Sequence, residues 1–267
     1  MHVNKNTDKA REAYKNKDIE ASKKIHQTPQ VGEQHQKEGK YLKSIIYGGL
    51  DGTLTIFAVV AGIVGARLDT ILVLIIGVAN LFADGLSMGI GDYLSTKAEI
   101  EYQKNERRRE SWEVEHYPEG EKAEMVEIYV NRGIPRDDAE QVVSILSQNF
   151  ESWIDVMMME ELGIIESDEN PKKNALVTFV SFAAFGSIPM IAYIFMAIIP
   201  GASTSPAITF LAAIIMTGIT LFILGAIKTK FTRGKLIRSG LGTLLIGGAT
   251  ALLAYFVGFG LDLLLHP

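Results

Sequence analysis

The chain contains no cysteine. Disulfides, zinc–thiolate sites and thiol nucleophiles are excluded with it. The first 43 residues hold no apolar run of the kind a secretory signal needs. The first membrane-length apolar segment is therefore expected to serve as the insertion signal. Histidine is scarce, at five residues, and only His116 follows a glutamate, Glu113, at Glu-x-x-His spacing. Di-iron helical bundles use two such pairs. His2, His26, His35 and His266 supply no second one, so a ferritin-like di-iron site has no support.

What the chain has in abundance is apolar length. Hydrophobic residues make up 48% of its 267 positions, and they are not spread evenly. Residues 1–43 and 96–173 are polar. The rest falls into five stretches of bilayer-spanning length, at about 44–66, 70–95, 174–199, 206–227 and 237–261. Five such stretches predict an all-α membrane protein of five transmembrane helices, with a helical insert between helices 2 and 3.

Orientation follows from lysine and arginine. Residues 1–43 and 96–173 hold ten each, and the 228–238 connection holds five. The opposite side has Arg67 and no other basic residue in its short connections. This places the N-terminus and the insert in the cytosol, and the short C-terminus, 262–267, outside it. The N-terminal tail, rich in Lys, Asn, Gln and Glu, reads as disordered.

The insert is acidic, with 20 Asp and Glu against its ten Lys and Arg. That balance argues against a nucleic-acid partner. The second span is expected to continue unbroken into the insert until Pro118 and Gly120 stop it. Further helices are expected at about 121–132, from near Asp137, and at about 151–162, ended by Gly133 and Gly163. Glu106, Glu110 and Glu113 share one helix face at i, i+4, i+7. Glu121 and Glu124 are spaced i, i+3, and Met157 and Glu161 i, i+4, with Glu160 beside them. Carboxylates bind divalent cations, and a thioether adds affinity for softer, later metals. On spacing alone, two readings stand: a metal-binding face, or a solvated acidic face balanced by Arg107, Arg108 and Arg109.

Two carboxylates lie inside the apolar segments. Asp51 sits within the run 45–60, and Asp84 in the next span. A carboxylate at membrane depth costs roughly 2.5–3.5 kcal/mol on insertion scales and usually serves ion or proton movement. Asn80, Asp84, Met88 and Asp92 repeat every four residues along one helix face, among Gly85, Gly89 and Gly91 that permit close helix approach. Oxygen with thioether sulfur favours Fe²⁺ or Mn²⁺ over Mg²⁺ or Ca²⁺. An aspartate there can hold a proton in one state and a metal in the other.

These motifs resemble the vacuolar iron transporter family, the group related to the yeast vacuolar iron and manganese importer. The matching runs are Tyr47-Gly48-Gly49-Leu50-Asp51-Gly52, the segment 80–95 from Asn80 through Asp84, Met88 and Asp92 to Ser95, the segment 153–163 from Trp153 to Gly163, and Gly247-Gly248-Ala249. The likeness covers about 44–261. It implies a homodimer with its ion path at the interface, lined by the first two helices, and exchange of cytosolic Fe²⁺ for protons. By position it implies a membrane site of Asp51 and Met88. It also implies a cytosolic site of Glu110, Glu113, Glu121, Glu124, Met157 and Glu161, with Glu106 adjoining, that takes Fe²⁺ and also Mn²⁺, Zn²⁺ or Co²⁺. The family often has an acidic residue after that methionine, where this chain has Met158.

The expectation is a proton-coupled transporter of Fe²⁺, with Mn²⁺ as an alternative cargo, into an acidic organelle, for iron storage and detoxification. It would need lipid, metal ions and protons, and no organic cofactor. Two rivals use the same acidic helices: a membrane-anchored ferroxidase, which predicts oxygen consumption with Fe²⁺, and a metal sensor, which predicts no flux.

Overall fold

The structure is a computed structural model and describes residues 12–27, 41–198, 205–232 and 234–265. Among these residues the fold is helical, without strands. The helices are α1 (Ile19–Gln27), α2 (Leu42–Gly65), α3 (Thr70–His116), α4 (Pro118–Asn131), α5 (Arg136–Leu146), α6 (Phe150–Glu160), α7 (Pro171–Gly186), α8 (Ile191–Ile198), α9 (Pro206–Thr232) and α10 (Leu236–Leu265). Five helical stretches are long and apolar enough to cross a membrane: α2, the first part of α3, α7 with α8, α9 and α10.

Boundaries fall where local chemistry puts them. Asp69 caps α3 by accepting the Ile71 amide at 3.0 Å, and Asn170 caps α7 by accepting that of Lys173 at 3.2 Å. Pro118 and Pro171 occupy first-turn positions, where a missing N–H is harmless. Gly133 (φ +94°) and Gly163 (φ +66°) end their helices in the left-handed region that glycine enters without steric penalty. Pro189 interrupts the third span with a 3₁₀ turn, Ile188–Met190. The last helix runs to Leu265, four residues past the expected end at 261.

One expectation needs correction. Within the tail read as disordered, Ile19–Gln27 form a helix. Asp18 caps it by accepting the Ala21 amide at 2.9 Å, and Glu, Ala and Lys are good helix formers. Residues 1–11 and 28–40 of that tail lie outside the described residues, as do His2, His35, His266 and the end of the C-terminal segment.

Helix α2 is the central post, packed on α7, α10, α3 and α9. Glycines let it approach α7: a Cβ on Gly52 would stand 2.4 Å from the Phe182 carbonyl oxygen. Gly52→Ala is therefore expected to lower the thermal midpoint of the detergent-solubilised protein, on the order of 1–3 kcal/mol for an overpacked contact. An unchanged midpoint would show that α2 and α7 do not pack this closely.

Helix α3 spans 47 residues, about 70 Å at 1.5 Å per residue. Its second half leaves the apolar bundle and carries the insert. There α4, α5 and α6 close over Val114, Met125, Val126, Val143, Trp153, Ile154 and Met157. Arg107 on α3 pins α6 through Glu151 (2.7 Å) and Asp155 (2.5 Å), and the returning segment through Glu166 (3.2 Å).

Candidate metal centre

The insert brings three distant glutamates together. Glu110 on α3, Glu121 on α4 and Glu161 just after α6 each offer a carboxylate oxygen, all within 4.8 Å of one another. Glu110 is completely buried, with neither oxygen in a hydrogen bond. Arg109 Nη2 stands 2.9 Å from its Oε1 as an ion contact. A buried, poorly hydrogen-bonded carboxylate is a costly object. Burial, then the nearby Glu161 charge, pushes Glu110 up to about 7. Glu121 is raised by burial and by Glu113 and Glu124. Glu161 is raised by burial and by Glu124. A divalent cation among these groups would reverse the repulsion.

The other expected ligands occupy different positions. Glu113 and Glu124 are close enough to bias Glu121 and Glu161 electrostatically and form the rim. Glu106 joins only through Arg109, whose guanidinium spans Glu106 (3.1 Å), Glu110 and Glu113 (3.1 Å). Met157 is wholly buried in the insert core, one turn before Glu161, and Met158 is buried there too. His116 belongs to no metal-capable group among the described residues. Its ring stacks on Trp112 at 4.6 Å between centroids, and its Nδ1 lies 2.8 Å from the Trp112 carbonyl oxygen.

In the membrane half, Asp51, Asn80, Asp84, Met88 and Asp92 are each half-buried. Asp84 lies within electrostatic reach of Asp51, which joins the first two spans into one acidic locus. Asp92 is elaborately held. Its Oδ2 accepts from the Ser44 hydroxyl of α2 (3.4 Å) and the Thr178 hydroxyl of α7, and its Oδ1 from Thr96 (3.4 Å). Met88 and Asp92 both line a cleft of about 610 Å³ on the side of the bundle facing the insert. Reading the chain for carboxylates alone overlooks Ser44, Thr96, Asn174 and Thr178. The available signal was a set of neutral polar residues near the ends of three apolar helices.

Charge at the cluster has a thermodynamic consequence. Glu110 titrates higher folded than unfolded, so its protonated form favours the fold. That stability is present at low pH and lost as pH rises through about 7. Glu110→Gln is expected to raise the thermal midpoint of chelator-treated protein at pH 8, with the gain shrinking below pH 7. The same variant should show a smaller midpoint increase on added metal than wild type does. A pH-independent difference would contradict the buried, uncompensated charge.

Comparison with known proteins identifies the family. The VIT family profile matches residues 42–259. The chain is 40% identical over 264 residues to the vacuolar iron transporter of Plasmodium falciparum (isolate 3D7), covering 96% of each chain. It is 40% identical over 266 residues to that of Toxoplasma gondii (strain ATCC 50861 / VEG), covering 96% of this chain and 88% of the relative. To vacuolar iron transporter 1 of Arabidopsis thaliana it is 34% identical over 226 residues, 84% and 87% of the two chains. With its five apolar spans and its glutamate cluster, this chain belongs to the VIT family of vacuolar iron transporters.

Proposed function

We propose that this protein moves Fe²⁺, with Mn²⁺ as an alternative cargo, from the cytosol into the vacuole or a similar acidic organelle in exchange for protons, storing iron and limiting its toxicity. The observation that carries the reading is the close trio of buried Glu110, buried Glu121 and half-buried Glu161, whose mutual repulsion a divalent cation relieves. The names of the relatives supply the metal and the organelle.

In this reading the insert and the N-terminus face the cytosol, the side that the lysine and arginine distribution favours. The glutamates gather the ion, with Glu113, Glu124 and Glu106 at the rim, and Met157 in the adjoining core adds a preference for later metals. The ion then passes Asp92, Met88, Asp84, Asn80 and Asp51. A proton arriving at Asp51 from the acidic side displaces it, so metal and proton compete for one carboxylate.

A homodimer fits the surface of α3. Ala79, Ala83, Ser87 and Gly91 form an exposed small-residue stripe beside the Asn80–Asp84–Met88–Asp92 row. Such stripes let helices in lipid approach closely. A second copy there would shield the half-buried carboxylates from lipid and enclose a shared path.

The test is Fe²⁺ uptake by liposomes containing the purified protein, with an acidic or a neutral interior. Uptake accelerated by the acidic interior is expected. Fe²⁺-dependent oxygen consumption without uptake would favour a ferroxidase instead.

A further inference from the structure

Between the bundle and the insert, the cleft beside Asp92 is built from more than acidic side chains. Asn174, at the start of α7, is 4% exposed and lines it. Its Nδ2 donates to Glu169 Oε2 at 2.6 Å and to Thr96 Oγ1 at 3.4 Å, which fixes which end of the amide is oxygen. The Oδ1 is buried without a donor. An amide oxygen in that condition costs stability unless something electropositive meets it. Thr96 continues the chain to Asp92, 3.4 Å away. Glu169 is held in place by its neighbours: Gln103 Oε1 accepts the Ser167 amide at 3.0 Å, and Ser167 Oγ accepts the Glu169 amide at 3.2 Å.

We propose that this cleft is a third divalent-cation site, with Glu169, Asn174 Oδ1 and Asp92 as its oxygen donors, standing between the glutamate trio and the membrane carboxylates. The proposal rests on the transporter reading and deepens it. The oxygen-only donor set suits a hard or borderline cation that keeps part of its water. The space suits it too: six waters occupy roughly 180 Å³, well under the 610 Å³ of the cleft. The lining runs along α3 from Met88 to Glu99, about 16 Å by helical rise. An ion held by Glu169 is thus already on the path that leads to Met88. Lys43 is the one basic residue on the lining.

The experiment uses the full chain in detergent and Mn²⁺ as the probe, counted by equilibrium dialysis with electron paramagnetic resonance. The background carries Glu110→Gln, Glu121→Gln, Glu161→Gln and Asp51→Asn, which silences the other two sites. We expect this background to retain Mn²⁺ binding. Adding Glu169→Gln should weaken it at least tenfold, and Asn174→Asp should tighten it. In otherwise wild-type protein in liposomes, Glu169→Gln should raise the half-saturating metal concentration several-fold with the maximal rate unchanged. Glu169 is partly exposed and the change is isosteric, so the comparison survives even if substitutions at Asn174 fail to fold. Mn²⁺ binding and half-saturation both indifferent to Glu169→Gln would overturn the proposal while leaving transport intact. Glu169-dependent Mn²⁺ binding in a wild type that moves no metal would support the site and sink the transporter reading.

Discussion

Replacing Asp51 with Asn is expected to reduce metal uptake by liposomes to the protein-free level, while metal binding by the insert persists. The expectation follows from where the carboxylate sits. Asp51 is in the apolar centre of α2, half-buried, with Asp84 of α3 close enough to feel its charge. Keeping a carboxylate there costs roughly 2.5–3.5 kcal/mol on insertion scales, and Asn removes both the charge and the exchangeable proton with almost no change in shape. A transporter that works by competition of metal and proton at this oxygen loses both steps at once. The fold should tolerate the change, because the packing of α2 on α7 runs through Gly48, Gly52 and Thr53 and not through Asp51. Two readouts are needed: uptake of Fe²⁺, and binding of Mn²⁺ to the solubilised chain. Wild-type uptake by Asp51→Asn would refute its assignment.

The second large effect concerns the glutamate trio. In chain carrying Asp51→Asn, wild-type glutamates should bind Mn²⁺ tightly at pH 7.5 and lose affinity as pH falls, about tenfold per pH unit for each proton that must leave. The loss should begin near pH 7, because burial and Glu161 raise Glu110 to about 7. Glu121 and Glu161 are raised too, first by burial and then by neighbouring carboxylates, which steepens the fall. Combining Glu110→Gln with Glu161→Gln should abolish the tight phase altogether. Titration calorimetry between pH 5.5 and 8 reads both effects. Affinity flat across that range would mean that no buried carboxylate takes part. This pH sense also favours capture at cytosolic pH and release under acidic conditions.

Much of the fold was legible because its punctuation is local. Pro118, Gly133 and Gly163 mark helix ends, and each does so in the structure through a property of its own backbone. Pro189 breaks the third span by the same local means. The spans were legible from apolar length. The short helix Ile19–Gln27 was missed because composition averages over a tail, whereas a cap such as Asp18 acts on one turn.

The site was legible only in part. Spacing groups Glu106 with Glu110 and Glu113, yet the structure separates them: Glu110 is buried in the trio, while Glu106 meets it only through Arg109. Periodicity describes one helix and has nothing to say about which residue of another helix packs against it. Glu121 and Glu161 lie 40 positions apart and meet because α4 and α6 close over the same core. Asn174 and Thr96 were invisible for a different reason. Neutral polar residues in apolar helices carry no charge or periodic signal, and their role depends on a contact 78 residues away.

The most direct measurement follows Fe²⁺ entering and protons leaving the same liposomes, with wild-type protein and an imposed acidic interior. Exchange at a shared carboxylate predicts that added Fe²⁺ drives proton efflux in step with uptake, and that collapsing the gradient slows both together. Uptake at the same rate with and without the gradient, with no proton movement, would contradict it.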